Sequence, residues 1–127
     1  MRFAIDTNRY VDFCRGEDSI VRAVQLAREI LVPFVALAEL RAGFACGTKA
    51  QQNASILTRF LAKPRVGVLF ADEGTTHQYA NLFRQLRAQG TPIPTNDLWI
   101  AALSVQHNHL LASKDAHFDQ LPQIPRI

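Results

Sequence analysis

Four acidic residues stand out from the 127-residue sequence by the company they keep. Asp6 ends the short apolar run Phe3-Ala4-Ile5, and Asp115 follows Leu110-Leu111-Ala112 through Ser113 and Lys114. Glu39 interrupts the apolar stretch Val35 to Leu40, and Asp97 stands with Thr95 and Asn96 at the head of another that begins at Leu98. Taken singly, Asp6 and Asp97 read as helix caps or first-turn acids and Asp115 as a turn residue. Glu39 is expected to be partly buried, and a buried carboxylate needs a cation, a proton or hydrogen bonds, a salt bridge to arginine being one way to supply them. Gathered into one cleft, four such groups raise each other's pKa or draw in a divalent cation. Carboxylate oxygens suit Mg²⁺ or Mn²⁺. The chemistry that follows is metal-assisted attack of water on a phosphodiester, with a second ion able to hold the leaving oxygen. No histidine or cysteine set has zinc spacing, and His117 reads as an exposed loop residue able to contact phosphate.

The elements around these residues make such a meeting feasible. Phe3-Ala4-Ile5 reads as a strand that delivers Asp6 to its carboxyl end, with a helix starting near Asn8. Ile20, Ala23, Val24 and Ala27 recur at helical spacing and predict a helix over 19–29. Ile30-Leu31-Val32 is a buried strand closed by Pro33. A helix over 34–44 follows, stopped near Gly43 to Gly47. Thr48 and Gln51 have the spacing of a capping box for a helix that ends before Pro64. Val66, Val68 and Phe70 suggest a strand. The longest helical pattern, 73–89, turns Tyr79, Leu82, Phe83 and Leu86 inward and stops at Gly90. Thr95-Asn96-Asp97 opens another helix, Leu110-Leu111-Ala112 is the last strand, and the tail 118–127 reads as loop. Short apolar strands alternating with helices predict an α/β domain with a mainly parallel sheet. In open sheets of that kind ligands gather outside the carboxyl ends of the strands.

Composition bounds the reading. The length suits one domain over 1–127, and 48% hydrophobic residues are too many for a disordered chain. The longest apolar run contains Pro33 and is far too short to span a bilayer, and Met1 to Ile5 has no long signal-like region, so a cytoplasmic protein is expected. Cys14 and Cys46 form no metal or disulfide pattern and read as small buried hydrophobes. Fourteen Lys and Arg against eleven Asp and Glu give a net charge of +3. If four acids share one cleft, only seven remain elsewhere, and the body of the molecule becomes distinctly basic, as a partner for a polyanion requires.

The order and spacing of these segments resemble a known family. Asp6-Thr7-Asn8 after a strand, Glu39-Leu40-Arg41-Ala42-Gly43, Asn96-Asp97-Leu98-Trp99-Ile100-Ala101-Ala102 and Ser113-Lys114-Asp115-Ala116-His117-Phe118 follow one another as in a PIN domain, at separations of 33, 58 and 18 residues between the acids. The likeness covers essentially the whole chain and is closest in kind to VapC-like toxins of type II toxin–antitoxin pairs. It implies a three-layer α/β/α fold around a parallel sheet, and Mg²⁺- or Mn²⁺-dependent endoribonuclease activity. It further implies an antitoxin that covers the site, and a toxin homodimer. By position Asp6, Glu39, Asp97 and Asp115 match the family's acidic cluster, with Asp6 and Asp97 the metal-touching pair and Glu39 a ligand or the group that orients water. Thr7 and Asn8 are then expected to hold Asp6 or touch substrate, and Thr95 and Asn96 to do the same for Asp97, helix capping being the alternative for all four. Arg9, Arg15 and Arg41 are candidates for contacts to RNA phosphate or an acidic antitoxin residue, with solvated arginines the plainer reading. Trp99, Phe83 and Tyr79 can stack on bases but have core spacing.

Two other readings compete. A haloacid dehalogenase-type phosphotransferase also ends its first strand on an aspartate, but it needs a second acid two positions on, where Asn8 stands. A non-catalytic PIN-like module that binds RNA or protein is the alternative from another class. A pure RNA binder gains nothing from four concentrated negative charges.

Overall fold

The computed structural model describes residues 1–127. Its elements are β1 (Arg2–Ile5), α1 (Thr7–Cys14), α2 (Asp18–Leu26), β2 (Glu29–Pro33), α3 (Phe34–Cys46), α4 (Ala50–Leu61), β3 (Val66–Leu69), α5 (Glu73–Gln89), α6 (Thr95–His107) and β4 (Leu110–Ala112), followed by a 3₁₀ turn over Ala116–Gln120. The four strands lie in the order β3-β2-β1-β4, and every pairing is parallel. No helix is long and apolar enough to cross a membrane.

Strand alternation builds a core on each face of the sheet. From β1, Phe3 and Ile5 turn to one side, where Ile20, Val24, Leu40, Leu57 and Phe60 pack on them. Ala4 turns to the other and meets Leu86, Leu98, Ala101, Ala102 and Phe118. Helices cover both faces, giving the three-layer α/β/α arrangement. Parallel strands covered on both sides read as continuous apolar runs, which is why Phe3-Ala4-Ile5 and Ile30-Leu31-Val32 carry no polar alternation. The long helix α5 stops where the sequence predicts, with Gly90 in the left-handed region at φ 71°.

Several boundaries and environments depart from the sequence reading. α2 ends at Leu26 rather than Glu29, and Ala27 is extended, because Glu29 pairs with Arg2 in the sheet and the Arg28 amide donates to the Met1 carbonyl. The Thr48–Gln51 box does not form: α4 begins at Ala50 with no side-chain cap, and the capping box is at Asp72 and Thr75, ahead of α5. Phe70 lies beyond β3 and is 68% exposed, and Phe83 on α5 is half-exposed rather than core. Cys14 and Cys46, at the last turns of α1 and α3, are both exposed rather than buried. The tail is irregular after Gln120, as expected, but it packs against the core. Phe118, Leu121 and Ile124, three apart, are buried, and Arg126 forms a parallel bridge with Leu111.

Candidate active site

The fold brings the four acids to the carboxyl edge of the sheet. Asp6 directly follows β1 and caps α1, accepting the Arg9 amide at 2.9 Å. Asp115 follows β4, which pairs with β1, and caps the 3₁₀ turn by accepting the His117 amide at 2.9 Å. Asp97 sits in the first turn of α6, and Glu39 lies midway along α3. Asp6 and Asp115 are therefore both caps and members of the cluster.

The acids feel one another. Burial pushes the Asp97 carboxyl up to about 6, and the charge of Asp115 and, more weakly, of Glu39 push the same way against the pull of His117. Burial also raises Asp6, which is 6% exposed; hydrogen bonding from Ser113 and the Arg9 amide opposes this, and the charge of Asp115 adds to it. Asp115 goes the other way. Burial works to raise it, but hydrogen bonds from the His117 amide, Asp97 and the His117 ring outweigh that and hold it below the ordinary value. Asp97 and Asp115 thus titrate as a pair, one carboxyl pushed up and the other held down.

Glu39 is exposed rather than partly buried, because its stretch of α3 rises out of the core between exposed Ala38 and buried Leu40. Its hydrogen bonds come from two residues expected elsewhere. Thr7 donates its hydroxyl to Glu39 Oε1 at 2.7 Å instead of holding Asp6, and Asn96 donates to Oε2 at 3.4 Å instead of holding Asp97. Asn8 and Thr95 are exposed and make no side-chain hydrogen bond. A groove of about 400 Å³ opens beside Glu39 and Asn96, walled by Phe34, Val35, Ala38, Ala42 and Trp99. Trp99 leans on Tyr79 with ring centres 4.4 Å apart.

Arg9 is neither a phosphate contact nor a solvated arginine. It is 4% exposed, and its guanidinium donates to Asp12 at 3.0 Å, Glu17 at 2.6 Å and Ser19 at 2.9 Å. Arg15 and Arg41 are exposed. Among the basic groups beside the acids is Lys114, 65% exposed and 3.9 Å from Glu17.

Two members of the site have little signal in the sequence. Ser113, 4% exposed, hydrogen-bonds Asp6 and accepts the Asp115 amide at 3.0 Å, so one hydroxyl ties the acids after β1 and β4. His117 places Nδ1 at 2.8 Å from Asp115 Oδ1 and 3.2 Å from Asp97 Oδ2. Asp97, Asp115 and His117 each offer a ligand atom within 4.8 Å of the others, a spacing at which one metal ion can be held. Ser113 is signalled in the sequence only by its place in Ser113-Lys114-Asp115-Ala116-His117, and His117, read there as an exposed loop residue able to contact phosphate, instead faces two of the acids.

Comparison with known proteins agrees with this geometry. The family description "PIN domain" matches residues 3–124. Ribonuclease VapC1 of Haemophilus influenzae is 32% identical over 115 residues, 87% of this chain and 84% of its own length. Ribonuclease VapC4 of Mycobacterium tuberculosis is 31% identical over 93 residues, 73% of this chain and 72% of its own. Among solved structures, VapBC2 from Rickettsia felis bound to a DNA fragment from its promoter superposes with a TM-score of 0.89 at 27% identity, covering 100% of this chain and 98% of that one. A profile match over nearly the whole sequence, two ribonuclease relatives and the shared architecture lead to one assignment: the chain belongs to the PIN-domain family and is VapC-like.

Proposed function

We propose that this chain is the toxin of a type II toxin–antitoxin pair, a single-domain endoribonuclease that hydrolyses RNA phosphodiester bonds with Mg²⁺ or Mn²⁺. The observation that carries the reading is the meeting of Asp97 and Asp115 near Glu39, at the sheet edge that also carries Asp6, where burial and then the neighbouring acids push Asp97 up to about 6. That arrangement is costly for a protein without a counter-ion and serves a protein that binds one. The donor set fits the ion: carboxylate oxygens dominate it, and Asp97 and Asp115 already face a common point. Asp97, Asp115 and Asp6 would hold the cation, which when bound lowers the pKa of water and offsets charge building on the phosphate.

The rest of the work falls to the chain. Glu39 is the exposed acid of the four, fixed by Thr7 and Asn96, and is the group suited to orient the attacking water. The water oxygen forms a bond to phosphorus as one ester oxygen departs. Ser113 and the Arg9 amide fix Asp6, so the acids do not rearrange when substrate arrives. The partners we infer are RNA, a cognate antitoxin that covers the site and a second toxin copy, in the cytoplasm. The likeness to VapBC complexes supports the antitoxin.

The test is cleavage of RNA by the purified chain with Mg²⁺ or Mn²⁺. Cleavage is expected to stop with EDTA and to fall strongly in Asp97→Asn. Full activity of that variant without metal refutes the mechanism. RNA retained without cleavage by the folded wild type, across several RNA classes, would favour the non-catalytic module instead. Growth arrest on induction, relieved by the neighbouring small protein, tests the toxin role.

A further inference from the structure

We propose that His117 is itself a ligand of the cation held by Asp97 and Asp115, and that its nitrogen biases the site toward Mn²⁺ over Mg²⁺. The inference rests on the metal-dependent reading above and adds a donor that the four acids do not contain. Three observations carry it. First, one ring nitrogen faces both carboxylates, at 2.8 and 3.2 Å. An exposed ion pair with a single acid contributes little to stability, so packing alone gives scant reason for a histidine to sit where two acids converge. Second, the residue is not a loose tail. Its amide is bonded to Asp115 Oδ1, and its neighbour Phe118 is buried to 1% exposure in the core beneath. Third, the His117 side chain is 51% and that of Asp115 27% exposed, so two of the three groups reach the solvent from which an ion would come.

The chemical consequence follows from ligand preference. Mg²⁺ demands hard oxygen donors in near-ideal octahedra, whereas imidazole suits transition ions. A carboxylate pair with an added imidazole therefore gains more for Mn²⁺ than for Mg²⁺.

The experiment uses the full chain, stripped of metal, as wild type, His117→Ala, His117→Gln and Asp97→Asn, each checked for folding by circular dichroism. Mn²⁺ binding is followed by electron paramagnetic resonance, with ¹⁴N couplings read by electron spin echo modulation and Mg²⁺ added as competitor. The wild type is expected to show a directly bound nitrogen, and His117→Ala and His117→Gln to lose it. Their Mn²⁺ affinity is expected to weaken at least about tenfold, the scale at which even outer partners of a metal site act. Mg²⁺ affinity is expected to change by less than about threefold, because the oxygen donors remain. Wild-type Mn²⁺ without a nitrogen coupling, or an equal loss for both metals, overturns the proposal. If Asp97→Asn alone abolishes binding while the His117 variants bind as wild type, this inference fails and the metal-dependent reading stands. If the folded wild type binds no Mn²⁺, both fall.

Discussion

Asp97→Asn should make the metal-free protein more stable while disabling it. The carboxyl of Asp97 rises from 3.8 to about 6, chiefly through burial and then through Asp115, and its side chain is only 17% exposed. A shift of roughly two units is worth about 3 kcal/mol at 1.36 kcal/mol per unit. Asp115 is lowered and returns part of this, so the gain for the pair is smaller. The sign is fixed by linkage. A raised folded-state pKa gives stability that is full below 3.8 and lost as pH rises through about 6. Wild type therefore carries its burden at pH 8 and not at pH 4, and the asparagine removes the burden. Thermal melts in EDTA at pH 4, 6 and 8 are the assay. The variant should melt higher at pH 8, by at most roughly 9 °C at about 3 °C per kcal/mol for a chain of this size, and the difference should vanish toward pH 4. Added Mn²⁺ should raise the melting point of the wild type and leave the variant unmoved, since only a ligand that binds the native state stabilises it. A variant less stable than wild type at pH 8, or a gain independent of pH, refutes the account of four acids held against their own repulsion.

Other consequences are as direct. Thr7→Val frees Glu39 and should lower RNA cleavage about tenfold, equivalent to about 1.4 kcal/mol in the barrier, with melting unchanged within ~2 °C. Arg9→Met removes the cation that ties Asp12 to Glu17 and should lower the urea unfolding midpoint, without new sensitivity of RNA binding to salt. Cys14 and Cys46 should both react with an aromatic disulfide reagent in the folded protein; protection of either until denaturant is added would contradict their exposure.

Much of the architecture is legible in local pattern, and the parts that are not share a cause. An apolar run ending in Asp6 or leading to Asp115 declares both a parallel strand and what it delivers. α5 declares its own start and stop through Glu73 and Gly90. Lateral partnership is the hidden part. Thr7 is next to Asp6 in sequence, yet α1 turns its hydroxyl to Glu39, and Asn96 likewise turns from Asp97 to the same acid, because successive residues on a helix point about 100° apart. His117 joins the site only because the turn after β4 passes the first turn of α6, a meeting no local spacing encodes. Arg9 reads as a surface charge until Asp12, Glu17 and Ser19 are seen folding over it.

The pairing of β1 with β4 has a consequence for how such a protein comes into being. Strand β1 takes one of its neighbours from the distant β4, with Phe3 opposite Leu110 and Ile5 opposite Ala112. Asp6 precedes its companions Ser113, Asp115 and His117 by more than a hundred residues. No partial chain can hold the complete set of acids, however well its first layers have packed. The set is completed only when β4 pairs with β1, and closing so long a loop makes that step of folding a slow one.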